Sequence, residues 1–181
     1  MTTPQQPEPD TKDWTWVLER PCPDCEFDAS SLARSQVPDQ TRAAIATLHS
    51  AVRAPGSDTR PAPEVWSALE YGCHVRDVCI VFGTRLAQMR HAADPRFPDW
   101  NQDETALAER YWEQDPTRVA DELAQEGERI AGDFATVADD EWQRPGRRSN
   151  GSQFTVETLA KYFLHDLVHH AHDVVSRPPS G

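Results

Sequence analysis

A helix that is apolar around most of its girth is stable only when other helices surround it. The last long segment of this chain is one. From Thr155 onward, Val156, Leu159, Phe163, Leu164, Leu167, Val168, Val174 and Val175 recur at helical spacing and cover more than one face. Three earlier segments carry single apolar faces that could pack on it. Residues 39–53 present Ile45, Leu48 and Val52, with Asp39 expected as the cap. Residues 63–91 present Tyr71, Val75, Val78, Phe82, Leu86 and Met89, with Pro63 expected in the first turn. Residues 117–137, opened by Asp115-Pro116, present Val119, Leu123, Ile130, Phe134 and Val137. Four long helices predict an all-α fold, a four-helix bundle.

The remaining segments decorate that bundle. Residues 1–12 are polar and proline-rich and are expected to be a disordered tail, 13–176 the domain, and 177–181 a second tail. Residues 14–27 are aromatic, and Pro21 and Pro23 interrupt any helix there. They are expected to form an irregular N-terminal arm anchored by Trp14, Trp16 and Phe27. Residues 100–112 suggest a short helix. Residues 139–153, with Pro145-Gly146 and Asn150-Gly151, read as a long structureless loop of the kind that often serves function.

With 181 residues, the chain can bury one core without covalent staples. Its 18 Lys and Arg face 30 Asp and Glu, a net charge of -12. That surface repels nucleic-acid phosphates and anionic membranes, so neither is expected as a partner. The N-terminus lacks a basic segment followed by an apolar run, and no stretch approaches the roughly 18 apolar residues of a membrane span. A cytoplasmic location is expected, with Cys22, Cys25, Cys73 and Cys79 as thiols. The preference for Arg over Lys suggests a GC-rich bacterial source.

Four of the seven histidines fall in His165-Asp-Leu-Val-His169-His170-Ala-His172. On a helix His165 and His169 share a face, and imidazoles four apart can chelate one divalent ion. A third ligand must come from elsewhere. His74 lies beside the apolar face of its own helix, which points it into the bundle. The spacing therefore nominates His74, His165 and His169 as metal ligands, with Zn, Ni or Fe as candidate ions. His170 is expected to be a supporting or surface residue, and Asp166 and Asp173 to orient imidazole N–H groups. The bland alternative is a solvated histidine face near a helix C-terminus.

Several stretches carry a family likeness. They are Trp14-Thr-Trp-Val-Leu18, Pro21-Cys-Pro-Asp-Cys-Glu-Phe-Asp28, Glu70-Tyr-Gly-Cys-His-Val-Arg-Asp-Val78 and Phe82-Gly-Thr-Arg-Leu86. Others are Phe97-Pro-Asp-Trp-Asn-Gln-Asp103, Arg148-Ser-Asn-Gly151, Phe154-Thr-Val156 and Tyr162-Phe-Leu-His-Asp-Leu-Val-His-His170. Together they resemble a DinB-like four-helix-bundle protein of the actinobacterial type. The resemblance implies a divalent metal at His74, His165 and His169. It also implies kinship with transferases and isomerases that use a low-molecular-weight thiol, mycothiol or bacillithiol, on a small-molecule substrate. A non-catalytic, stress-related metal or ligand binder of the same fold is the alternative, and a homodimer is a further expectation. Tyr71, Trp100 and Arg148 are candidate pocket residues. Asn101 stands where relatives tend to carry Asp, which puts a carboxylate role there in doubt.

Two other metal-dependent classes fit less well. The His165-Asp166 doublet imitates HD-type phosphohydrolases, but fifteen residues follow it, too few for a later ligand helix. His165-Asp-Leu-Val-His169 imitates the His-Glu-x-x-His of zincin proteases without their sheet or downstream ligand. Cys22-x-x-Cys25 is half of a zinc site or a redox pair, with no second Cys-x-x-Cys to complete it. The favoured reading is a tight turn packing small thiols under the aromatic arm.

Overall fold

The computed structural model describes residues 4–9 and 12–176. The expected tail at 177–181, and residues 1–3, 10 and 11 of the other, lie outside the described residues. Residues 4–9 carry no helix or strand, and the Gln5 carbonyl accepts a hydrogen bond from Arg60 Nη1.

Four long helices form the bundle: α1 (Val37–Arg53), α2 (Ala68–His91), α4 (Pro116–Ala135) and α5 (Val156–Ser176). A short helix, α3 (Gln102–Ala108), sits between α2 and α4. The packing closes a ring, α1 against α4, α4 against α2, α2 against α5 and α5 against α1. Leu48, Val78, Leu123, Ile130, Leu159 and Phe163 fill its centre, all buried. Phe163 contacts both Phe82 and Phe134, with ring centroids 5.5 and 5.6 Å away.

Helix starts follow local capping chemistry. The α2 helix begins at Ala68, not at Pro63, because Ser67 and Glu70 close a capping box. Glu70 is buried, and the Arg60 guanidinium grips both its carboxylate oxygens, so the loop before α2 is tied down. Asp39 is not the cap of α1; it lies within the first turn, where its charge still complements the helix dipole. Asp115 does cap α4, its side chain accepting from the Arg118 N–H at 2.8 Å. At the start of α5, Thr155 Oγ1 accepts from the Thr158 N–H at 3.2 Å.

The segment expected as a structureless loop instead carries most of a β-hairpin. Strands β1 (Arg96–Phe97), β2 (Pro145–Arg148) and β3 (Gln153–Thr155) form a small sheet in that order. The β1–β2 pair is parallel, Arg96 opposite Arg147, and β2–β3 is an antiparallel hairpin. Gly151 turns the hairpin at φ +102°, a conformation that favours glycine. Strands this short show no readable alternation. The 3₁₀ turn Trp14–Leu18, capped by Asp13, opens the N-terminal arm. The arm is anchored by burial of Val17, Cys22, Phe27 and Ala29.

Gly127 of α4 packs directly against Ile45 of α1. A Cβ at Gly127 would lie 2.7 Å from Ile45 Cγ1, whereas one at Gly132 meets nothing within 4 Å. Gly127→Val is therefore expected to lower stability by about 1–3 kcal/mol through overpacking. Gly132→Ala should raise it by about 1 kcal/mol through helix propensity. Urea denaturation of the two variants checks both signs.

Candidate metal centre

Successive residues of a helix point about 100° apart, so His165-Asp166-Leu-Val-His169-His170 contains two interleaved pairs four residues apart. His165 and His169 face the N-terminal arm. Asp166 and His170 face α2. The structure consequently divides the three expected ligands. His74 joins Asp166 and His170, while His165 and His169 join Cys22 and Cys25. Within each group the donor atoms lie within 4.8 Å of one another.

The first group is centred on Asp166. Its Oδ1 lies 3.3 Å from His74 Nε2 and 3.3 Å from His170 Nε2. An ion shared by oxygen and nitrogen ligands at ordinary bond lengths would space those atoms about 3.0–3.4 Å apart, so the donors fit one. His170 Nδ1 is turned toward Asp173 Oδ2 at 3.2 Å, which aims Nε2 at Asp166. Aromatic rings enclose the group. Trp100 stacks on His74 at 5.6 Å and 6°, Trp66 packs on it at 5.5 Å, and Tyr71 covers His170 at 5.0 Å.

Charge follows from these contacts. Burial disfavours the Asp166 carboxylate, but hydrogen bonds from His170 and His74 outweigh it and hold the carboxyl well below the usual range. Burial likewise disfavours the His170 imidazolium, yet Asp166 and Asp173 together push its pKa up to about 9. Binding a cation here would displace that proton.

The second group lies under the arm. Cys22 Sγ is 3.7 Å from His169 Nδ1, and His169 Nε2 is 3.8 Å from Asp173 Oδ2. Trp14 covers both imidazoles, its ring 5.5 Å from His165 and 5.4 Å from His169. At about 100° per residue, His165 lies on the side of α5 opposite Phe163 and Leu167. The arm nonetheless buries it to 4% exposure. Burial, reinforced by His169, drives the His165 pKa down to about 4, and burial also lowers that of His169. Among the described residues, His74 Nδ1 and His165 Nε2, one in each group, are buried with no hydrogen-bond partner.

A cavity of about 130 Å³ lies between the groups, lined by Trp14, Gln102, Tyr162, His165, Asp166, His169 and His170. A polar groove of about 480 Å³ shares its Trp14, Gln102 and Tyr162 walls and extends to Lys12, Asp99, Asn150 and Arg148. Of the expected pocket residues, Trp100 and Arg148 line this groove, and Tyr71 lies against His170. Asn101 also lines it while capping α3, accepting from the Asp103 and Glu104 N–H groups at 3.1 Å each. His172 is exposed and bonded to Ser176, outside both groups.

Spacing alone makes Asp166 and His170 supporting residues and not ligands, and leaves Cys22-x-x-Cys25 as an incomplete half of a zinc site or a redox pair. The interleaved pairs and the half-site at Cys22-x-x-Cys25 were the available signals. Which face met which partner depended on where the arm and α2 dock.

The fold is a helical bundle that carries two groups of candidate metal-ligating side chains. The DinB superfamily profile matches residues 35–174, and the chain belongs to that superfamily. No curated protein matches it. Among solved structures it is similar to YfiT from Bacillus subtilis, described as a probable metal-dependent hydrolase with an unusual four-helix bundle topology. The two share 18% identity at a TM-score of 0.68, over 78% of this chain and 86% of YfiT, which establishes a common fold.

Asp173 approaches histidines of both groups. Carboxylates behind ligand imidazoles typically contribute about 10–100-fold to metal affinity. Asp173→Asn is expected to weaken divalent-metal binding by that factor with unchanged helicity, measured by chelator competition alongside circular dichroism.

Proposed function

We propose that this chain is a metal-dependent transferase or isomerase that uses a low-molecular-weight thiol such as mycothiol against a small electrophile. The reading rests on the convergence of His74, Asp166 and His170 beside a cavity that opens into a polar groove. Three donors leave coordination positions of an ion open, as catalytic sites do. Two imidazoles and a carboxylate suit Zn²⁺, Ni²⁺ or Fe²⁺. A divalent ion held there supplies a Lewis acid that makes a thiol of ordinary pKa, near ~8.5, a thiolate at neutral pH.

The chain's own residues do the rest. Asp173 fixes the ring of His170, and Trp66 and Trp100 exclude water around His74. Burial raises the Tyr162 pKa, so its phenol stays protonated and can donate to an oxygen of the electrophile. Arg148 lies across the Tyr162 ring, 5.9 Å from its centroid, with its charge toward the groove. The mixed polar lining of that groove suits the sugar- or peptide-like body of a thiol cofactor, whose sulfur would occupy the inner cavity. Among the described residues, no helix is long and apolar enough to cross a membrane. The free cysteines suit a reducing compartment, where such thiols are maintained.

A second reading comes from YfiT's description as a probable metal-dependent hydrolase: water, not a thiol, would be the nucleophile. The assay pairs metal-loaded protein with electrophiles in the presence and absence of thiol. Consumption that requires both metal and thiol, and is abolished by His74→Ala and Asp166→Asn, is the expected result. Turnover without thiol would favour hydrolysis. Metal binding with no turnover across thiols and electrophiles would leave a binding protein.

A further inference from the structure

We propose that Cys22, Cys25, His165 and His169 form a second metal site, a closed Cys₂His₂ zinc centre that rivets the N-terminal arm to α5. Four donors of the right chemistry meet there from two segments far apart in sequence, all within 4.8 Å of one another. Tetrahedral zinc, with bonds of about 2.3 Å to sulfur and about 2.05 Å to nitrogen, spaces its ligand atoms about 3.3–3.8 Å apart. The 3.7 Å between Cys22 Sγ and His169 Nδ1 already matches. Small movements of the other side chains complete the tetrahedron.

Three further observations fit an ion. Among the described residues, His165 Nε2 is buried with no hydrogen-bond partner, a costly arrangement that coordination relieves. His169 turns Nδ1 to the sulfur and Nε2 toward Asp173, the orientation of a ligand imidazole backed by a carboxylate. The cysteines sit on a closed turn. The Cys22 N–H donates to the Phe27 carbonyl and the Glu26 N–H to the Cys22 carbonyl, both at 2.9 Å. Glu26 adopts φ +60°, a left-handed conformation that is costly for a non-glycine residue. That turn brings both sulfurs to the same histidine pair.

This site differs in kind from the one at His74. Two thiolates and two imidazoles fill four positions, leaving none for substrate, and thiolate ligands favour zinc. Binding sends two thiol protons to solvent. Trp14 roofs the histidines, and Phe27 packs edge-on against His165 at 5.6 Å, so the centre is shielded. Its role is architectural: it holds the arm where Trp14 walls the cavity.

The test uses untagged full-length protein. Elemental analysis should find zinc, with about one equivalent surviving chelator treatment that empties the His74 group. Cobalt-exchanged protein should show a thiolate-to-metal charge-transfer band in the near ultraviolet. Cys22→Ser and Cys25→Ser should each lose the band and the retained equivalent, while Asp166→Asn keeps both. The proposal is overturned if cobalt-loaded wild-type protein has no thiolate band. It is overturned equally if native protein carries a Cys22–Cys25 disulfide by mass, or if the serine variants retain full zinc. Should the serine variants not fold, the wild-type cobalt spectrum decides alone. A thiolate band without turnover would sink the enzymatic reading and leave this one standing; turnover without the band would do the reverse.

Discussion

The burial of α5 is the constraint on which the molecule turns. Its apolar residues Leu159, Phe163, Leu164 and Leu167 lie in the core between α1 and α2. Helical geometry then leaves the polar side chains of its C-terminal half only two destinations. One side meets α2 and the aromatic rings around His74; the other would meet water were the arm not laid across it. The candidate metal ligands are thus positioned by the same packing that stabilises the bundle. Few of their backbone degrees of freedom remain to be fixed when a ligand arrives.

The bundle was legible because its signal is periodic and long. Each of the four major helices repeats its apolar face over several turns, enough to identify it without tertiary information. What escaped were features decided by a few atoms. The start of α2 is set by the reciprocal bonds of Ser67 and Glu70, which compete with the local preference of Pro63 for a first turn. The small sheet uses strands of two to four residues, too short for alternation to register, and its parallel pairing joins segments remote in sequence.

The candidate centre was half legible for a related reason. Sequence spacing shows which residues share a helix face, not what that face will meet. His165 and His169 were correctly grouped with each other as a pair on one face. Their remaining neighbours came from the arm, whose irregular backbone has no period to extrapolate. His170 looked peripheral because it lies just off the His165 stripe. That offset of about 100° is what turns it toward α2. His74 pointed inward as its pattern required, and its partners there proved to be Asp166 and His170.

The parallel pairing of β1 with β2 has a consequence for how the molecule assembles. Arg96 lies opposite Arg147 across the whole of α3 and α4. A contact spanning so much chain carries a large loop-closure cost until the intervening helices have docked. Docking of α3 and α4 brings the two strands together, so the pairing is cooperative with the helical ring. Arg148, whose side chain lines the groove, belongs to that strand. The wall of the groove is therefore held by the tertiary structure as a whole and by no local segment of the chain.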